Sequence, residues 1–187
     1  VSAKVLDVDG NDVTYNVRVE WLKPLADGSI TYLRKANSLG QIPEGQKLIC
    51  RVSLDNTLGV LYHNPNDVEF TVNENEYTCT ITLLPFRSIA LTGTIVDGDG
   101  VVLSGASVSV SQVLNGKYNK TFTAKTDRNG AWTVSIFEAP ETRLTYTATE
   151  CINVNDTIGE FDENITTFDL GKVTLKSIVG ARITYGF

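Results

Sequence analysis

Residues 91–110, LTGTIVDGDGVVLSGASVSV, constrain the fold more than any other stretch of this chain. They read as a strand, a tight Gly/Asp turn and a second strand that alternates cleanly. Leu91, Gly93 and Ile95 share one face, and Ala106, Val108 and Val110 share another. Ser107, Ser109 and Ser111 point the opposite way, because side chains in a strand alternate with a period of two. The first residues of the chain, VSAKVLDVDGNDVTYNVRVEW, spell nearly the same pattern.

That recurrence extends along the whole sequence. A shift of about 90 residues sets Val5-Leu-Asp-Val-Asp-Gly10 against Ile95-Val-Asp-Gly-Asp-Gly100. With one inserted residue, Val17 and Val19 fall on Val108 and Val110. Asp27-Gly28 then matches Asn115-Gly116, Leu48–Val52 matches Leu144–Ala148, and each half closes on a Thr-rich strand. A duplicated domain follows, with residues 1–87 as a divergent copy and 88–187 as the second copy plus a C-terminal strand or tail.

Strands are expected over residues 1–7, 17–22, 30–35, 47–52, 68–72 and 77–84, then 90–96, 106–112, 120–125, 131–136, 144–149, 166–170 and 172–176. No window carries apolar residues at helical spacing. Short strands with turn signals at this density define an all-β chain, two tandem Ig-like or transthyretin-like β-sandwich domains of about seven strands each. The junction Leu84-Pro-Phe-Arg-Ser-Ile89 is short and not Gly/Ser-rich, so it is expected to act as a stiff connection. The tail 178–187 is expected to start a third domain or to add an edge strand. Its last residues, 182–187, are a candidate for pairing with a partner strand.

Charge excludes one class of partner. The net charge is −6, and 8 basic and 11 acidic residues fall on each side of a division after Arg87, so neither half has a nucleic-acid footprint. No apolar run is long enough for a membrane helix. The start of the chain has no basic segment followed by an apolar one, so no secretory leader is expected in it, and the lack of an initiating Met fits a processed chain or part of a longer one. Cys50, Cys79 and Cys151 lack metal-type spacing. Cys50 and Cys79 lie on the apolar parity of their strands; buried thiols acting as small hydrophobes are expected, with a disulfide between them as the alternative. Cys151 is left over either way.

The second half resembles the carboxypeptidase regulatory-like, transthyretin-like (prealbumin-like) family. The residues that carry the likeness are Leu91-Thr-Gly-Thr-Ile-Val-Asp-Gly-Asp-Gly100, Leu103-Ser-Gly-Ala-Ser-Val108 and Thr126-Asp-Arg-Asn-Gly-Ala-Trp132. The first half departs from it, with Asn37-Ser-Leu-Gly40 where T-D-x-x-G belongs and Tyr15-Asn16 in place of Gly-Ala. The resemblance implies a seven-stranded sandwich appended to secreted or surface proteins of bacterial envelopes, with structural or recognition roles. It supplies no catalytic residues.

Each candidate site has a plain structural reading beside it. Asp7, Asp9 and Asp12 crowd one turn, with Asp97 and Asp99 in its copy. Such a run is expected to be turn chemistry, in which Asp and Gly satisfy local backbone groups. The alternative is calcium, a hard cation that takes 6 to 8 oxygens, although the remaining ligands of an EF-hand loop are missing. His63, the one histidine, sits in a turn-rich loop and has no visible catalytic partner. Glu69, Glu74 and Glu76 form an acid pair only if folding unites two of them. Trp21 and Trp132 share parity with core valines and are expected to be buried, leaving Tyr32, Tyr62 and Tyr118 as candidates to stack on a glycan. Asn119, Asn155 and Asn164 open N-glycosylation patterns that a bacterial protein leaves unmodified.

The expected function is therefore a non-catalytic structural or protein-interaction module at the bacterial cell envelope, extracytoplasmic, with no cofactor, no nucleic acid and no transmembrane segment. The alternative is a carbohydrate-binding module or accessory domain that takes a glycan partner. An enzyme would require a carboxylate pair in a pocket.

Overall fold

The computed structural model describes residues 1–73 and 76–178, and they divide into two compact units, Val1–Phe86 and Arg87–Phe187. Among the described residues there are thirteen strands, one 3-10 turn at Thr14–Asn16 and no α-helix. The chain is all-β, and each unit is a sandwich of two sheets.

The first unit contains β1 (Ser2–Leu6), β2 (Val17–Pro24), β3 (Ile30–Lys35), β4 (Lys47–Leu54), β5 (Val68–Thr71) and β6 (Thr78–Thr82). β3-β2-β4-β5 form one sheet, and β1 pairs with β6 in parallel to form the other. Alternation drives this arrangement. Val19, Trp21, Cys50 and Val52 from the large sheet meet Ala3, Val5, Cys79 and Ile81 from the small one in a single core. The Trp21 indole N–H donates to the Ala36 carbonyl at 2.7 Å, so this ring is buried without an unmet polar group.

The second unit contains β7 (Ser88–Asp97), β8 (Ser107–Leu114), β9 (Tyr118–Lys125), β10 (Ala131–Phe137), β11 (Thr142–Thr147), β12 (Val154–Ile158) and β13 (Thr167–Leu175). Its sheets run β12-β11-β8-β9 and β10-β7-β13. Residues of β8 alternate between buried and exposed along its length, Val108 and Val110 at 0% exposure against exposed Ser109 and Ser111. A slip of one residue would carry those valines to solvent and serines into the core. Burial stabilises each valine by about 1.5–3 kcal/mol, so the pattern fixes the register.

The two units share one strand plan. β1, β2, β3, β4, β5 and β6 hold the positions that β7, β8, β9, β11, β12 and β13 hold in the second, and the first and last strands pair in parallel in both. β10 has no strand as its counterpart, so the first unit has six described strands against seven. In its place the segment around Asn37 lies antiparallel to β1, through an isolated bridge between Ser2 and Ser38 and a 2.9 Å bond from the Ala3 N–H to the Asn37 carbonyl. This is the stretch whose sequence departs from T-D-x-x-G.

Two further differences from the expected strands lie in the second unit. Residues 166–170 and 172–176 form one strand, β13, because Gly171, at φ +69°, passes a bulge between Asp169 and Lys172 without ending the ladder. β12 was not anticipated: its Asn155, Asp156 and Thr157 are all exposed, so no alternation marks it. Arg87 belongs with the second unit. Its backbone and guanidinium bond to the Glu138 carboxylate, and the guanidinium also donates to the carbonyls of Asp162, at 2.9 Å, and Ile165. The expectations for residues 179–187 and for Glu74 lie outside the described residues.

Candidate functional site

The aspartate-rich turns are built alike in three places. Asp7 Oδ1 accepts the backbone N–H groups of Asp9 and Asn11 at 2.9 and 2.8 Å. Asp97 Oδ1 accepts those of Asp99 and Val101, both at 2.9 Å. Asp127 Oδ1 accepts those of Asn129 and Ala131 at 2.8 and 3.0 Å. In each turn the aspartate carbonyl takes the N–H of a glycine three residues on, at 3.1, 3.1 and 3.0 Å, and that glycine has positive φ. D-x-x-G is thus a local program: the carboxylate ties down amides that the tight turn leaves without ladder partners.

The same chemistry sets the charges. The Asn11 side chain, which donates to Asp7 Oδ2 at 3.0 Å, and the backbone donors hold the Asp7 carboxyl below its ordinary value of 3.8. Asp12 accepts the Thr14 hydroxyl at 2.5 Å and the Thr14 N–H at 3.0 Å, which lower its pKa as well. Asp9 contributes its backbone N–H to the turn. Among the described residues no three His, Cys, Asp or Glu side chains converge as a metal cage.

Of the tyrosine candidates, Tyr32 is 55% exposed, on the outer side of β3 opposite Leu22. Tyr62 is half-buried and packs against the first unit's core. Tyr118, in the second unit, lies with its ring 4.9 Å from the Lys117 ammonium. Both tryptophans are buried as expected, at 0% and 4%.

His63 packs its ring on Phe86 with centroids 4.3 Å apart and donates its backbone N–H to the Leu84 carbonyl at 2.8 Å, so it helps close the end of the first unit. Glu69 and Glu76 are exposed. A shallow depression of about 600 Å³ on the second unit is lined by Thr92, Thr94, Thr133, Lys125 and Asp169, which bring no histidine, cysteine or glutamate to it.

Three polar side chains make buried or part-buried bonds that sequence pattern alone does not reveal. Thr126 Oγ1 accepts the Ala106 N–H at 2.9 Å and donates to the Leu103 carbonyl at 2.5 Å. Thr14 Oγ1 accepts the Val5 N–H at 2.9 Å in the first unit. Gln112, 2% exposed, donates from Nε2 to the Phe137 carbonyl at 2.6 Å and to Thr142 Oγ1 at 2.9 Å. Gln112 lies on the same parity as Val108 and Val110, and a polar residue on an apolar parity was the signal available.

This geometry defines a class: paired β-sandwich units with closed apolar cores and hydrogen-bonded turns. No family model matches the chain, and no curated protein matches it. Among solved structures it is similar to a streptococcal ancillary pilin, at 17% identity and TM-score 0.50 over 94% of this chain, which spans 61% of that one. It is also similar to the minor pilin of the gram-positive pathogen Streptococcus agalactiae, at 10% identity and TM-score 0.46, covering 99% of each chain. A third is the C-terminal fragment of a pilus adhesin from Lactobacillus rhamnosus GG, at 11% identity and TM-score 0.45, covering 95% of this chain and 97% of that one. At 17% identity the likeness to the ancillary pilin is one of fold alone.

Proposed function

We propose that this chain is a non-catalytic structural or protein-interaction module of a bacterial surface protein, acting as a load-bearing spacer in an extracytoplasmic, pilus-like assembly. One observation carries the reading. In each unit the first and last strands are adjacent and parallel, Ser2 to Leu6 beside Thr78 to Thr82 and Ala90 to Asp97 beside Thr167 to Leu175. The chain therefore enters each unit at one end and leaves at the other, as a spacer requires. Tension between those ends also loads the ladder hydrogen bonds in shear, so that they resist together.

The fold shared with a streptococcal ancillary pilin supports the setting. The carboxypeptidase regulatory-like relationship of the second unit is part of the same proposal, supported by the D-x-x-G turns at Asp97 and Asp127. Single-molecule pulling between the chain ends tests it. Two unfolding events are expected, each releasing about 3.3–3.6 Å per residue, at forces well above those for a pull applied to the second unit through the β8–β9 turn at Gly116. Equal forces in the two geometries would remove the mechanical argument.

A further inference from the structure

Cys50 stands on β4 of the four-stranded sheet and Cys79 on β6 of the two-stranded sheet, and both point into the core between them. Their exposures are 0% and 2%. Ladder registers hold them there from both sides: Cys50 is paired with Trp21 of β2 and Cys79 with Ala3 of β1, and all four side chains belong to the one core. The two thiols are free in this structure and share that one core cluster, each reaching it from a different sheet. Cys151 belongs to the second unit, where it bridges to Ser177.

We propose that Cys50 and Cys79 are a disulfide-forming pair, so that the oxidised first unit carries a covalent staple between its two sheets. The bond needs the sulfurs at about 2.05 Å, a closure between side chains that enter the same core from facing sheets. The oxidant is a disulfide donor, of which oxidised glutathione is the small-molecule form. The Cys79 thiolate attacks one donor sulfur and releases a first donor thiol. The Cys50 thiolate then attacks the Cys79 sulfur of the mixed disulfide and releases the second. The protein loses two protons and two electrons, and the donor disulfide is reduced to two thiols.

In the folded unit no donor reaches the pair. The hydrogen bond to Cys79, with burial, pushes the Cys50 thiol up and keeps it protonated. Exchange therefore belongs to the folding chain, before β6 docks, or to an opened state. The linkage closes a loop of roughly 30 residues in the unfolded chain and so restricts that state. The inference rests on the position of two side chains and not on the surface location proposed above.

The test is refolding of the full chain in a glutathione redox buffer, followed by thiol titration under denaturing, non-reducing conditions. One titratable thiol per chain is expected, with a mass lower by two hydrogens, a peptide map joining the segments of Cys50 and Cys79, and a Tm for the first unit raised by about 10 °C or more over the reduced chain. Three titratable thiols, or a linkage through Cys151, overturns the proposal. Cys151→Ser repeats the measurement without the spare thiol: no titratable thiol is expected, and two overturn it. A linked pair with a Tm below that of the reduced chain shows that the native sheets do not accommodate the bond, and overturns the proposal equally.

Discussion

Gly93 and Trp132 are partners in the β7–β10 ladder, and the indole lies so close over the glycine that a Cβ at 93 would stand 2.7 Å from its Nε1. Packing, not backbone conformation, requires the glycine. The ring is 4% exposed and stands edge-on to Tyr146 at 6.0 Å, so it has little room to move aside. Gly93→Ala is expected to destabilise the second unit by about 1–3 kcal/mol through overpacking. Urea unfolding reads this directly, and an unchanged midpoint would show that the ring yields.

Tyr146 closes the other side of that ring and presents the opposite case. Its hydroxyl is buried with no hydrogen-bond partner, and burial, with the Asp156 charge adding to it, pushes its pKa from 10.0 up to about 12. Tyr146→Phe removes an unmet polar group at nearly constant shape, so it is expected to be neutral or to stabilise by up to about 1 kcal/mol. The folded value lies above the unfolded one, so the contribution of the neutral phenol is complete below pH 10 and is lost as pH rises through 12. Melts from pH 8 to 12 should fall more steeply for the wild type than for Tyr146→Phe. Parallel curves would place the titration elsewhere.

The parts of the fold visible in the sequence are those in which one local rule acts alone. Alternation along β8 gave its inward face, and D-x-x-G gave the turns at Asp7, Asp97 and Asp127, because each turn satisfies its own amides within five residues. β12 shows no alternation, since the exposed Asn155, Asp156 and Thr157 separate the two residues, Val154 and Ile158, that pack on the core, and its pairing with β11 is not a local signal. The sequence pattern splits β13 in two, because glycine at a bulge looks like glycine at a turn. The bonds of Arg87 to Glu138 join residues 51 apart, and no local pattern announces them. The exposure of each tyrosine candidate depends on tertiary packing, which leaves Tyr32 exposed and Tyr62 half-buried.

Gln112 is the polar clamp of the second unit. Its amide donates to Phe137 and Thr142, and its Oε1 accepts the Phe137 N–H at 3.3 Å, tying β8 to the end of β10 in the facing sheet. Gln112→Leu keeps the volume but removes both bonds to the Phe137 backbone and the bond to the hydroxyl of Thr142, which is itself 0% exposed. A hydrogen bond contributes about 0.5–1.5 kcal/mol net and three are lost, so a loss of more than ~2 kcal/mol is expected. If Gln112→Leu unfolds at the wild-type urea concentration, the clamp contributes no stability.

The acidic turn of the first unit makes a paired prediction about protons and calcium. Asp7 and Asp12 are held below 3.8 by the donors of Asn11 and Thr14, so their stabilisation is present above that pH and is lost as pH falls through the lower folded values. The Tm of the first unit should therefore drop below about pH 4, and Asp12→Asn should flatten part of that drop. A pH profile identical in the two proteins would mean that the Thr14 contact is not made in solution. Asp7 Oδ1 is already engaged by two backbone amides and Asp12 Oδ1 by Thr14, so millimolar calcium or EDTA at neutral pH should leave the melt unchanged. A cation at 100 times its Kd would add about 2.7 kcal/mol, which for a unit of this size moves Tm by more than ~10 °C. A shift of that size would mean that the turn reopens to present Asp7, Asp9 and Asp12 to the metal, and turn chemistry would no longer account for these residues.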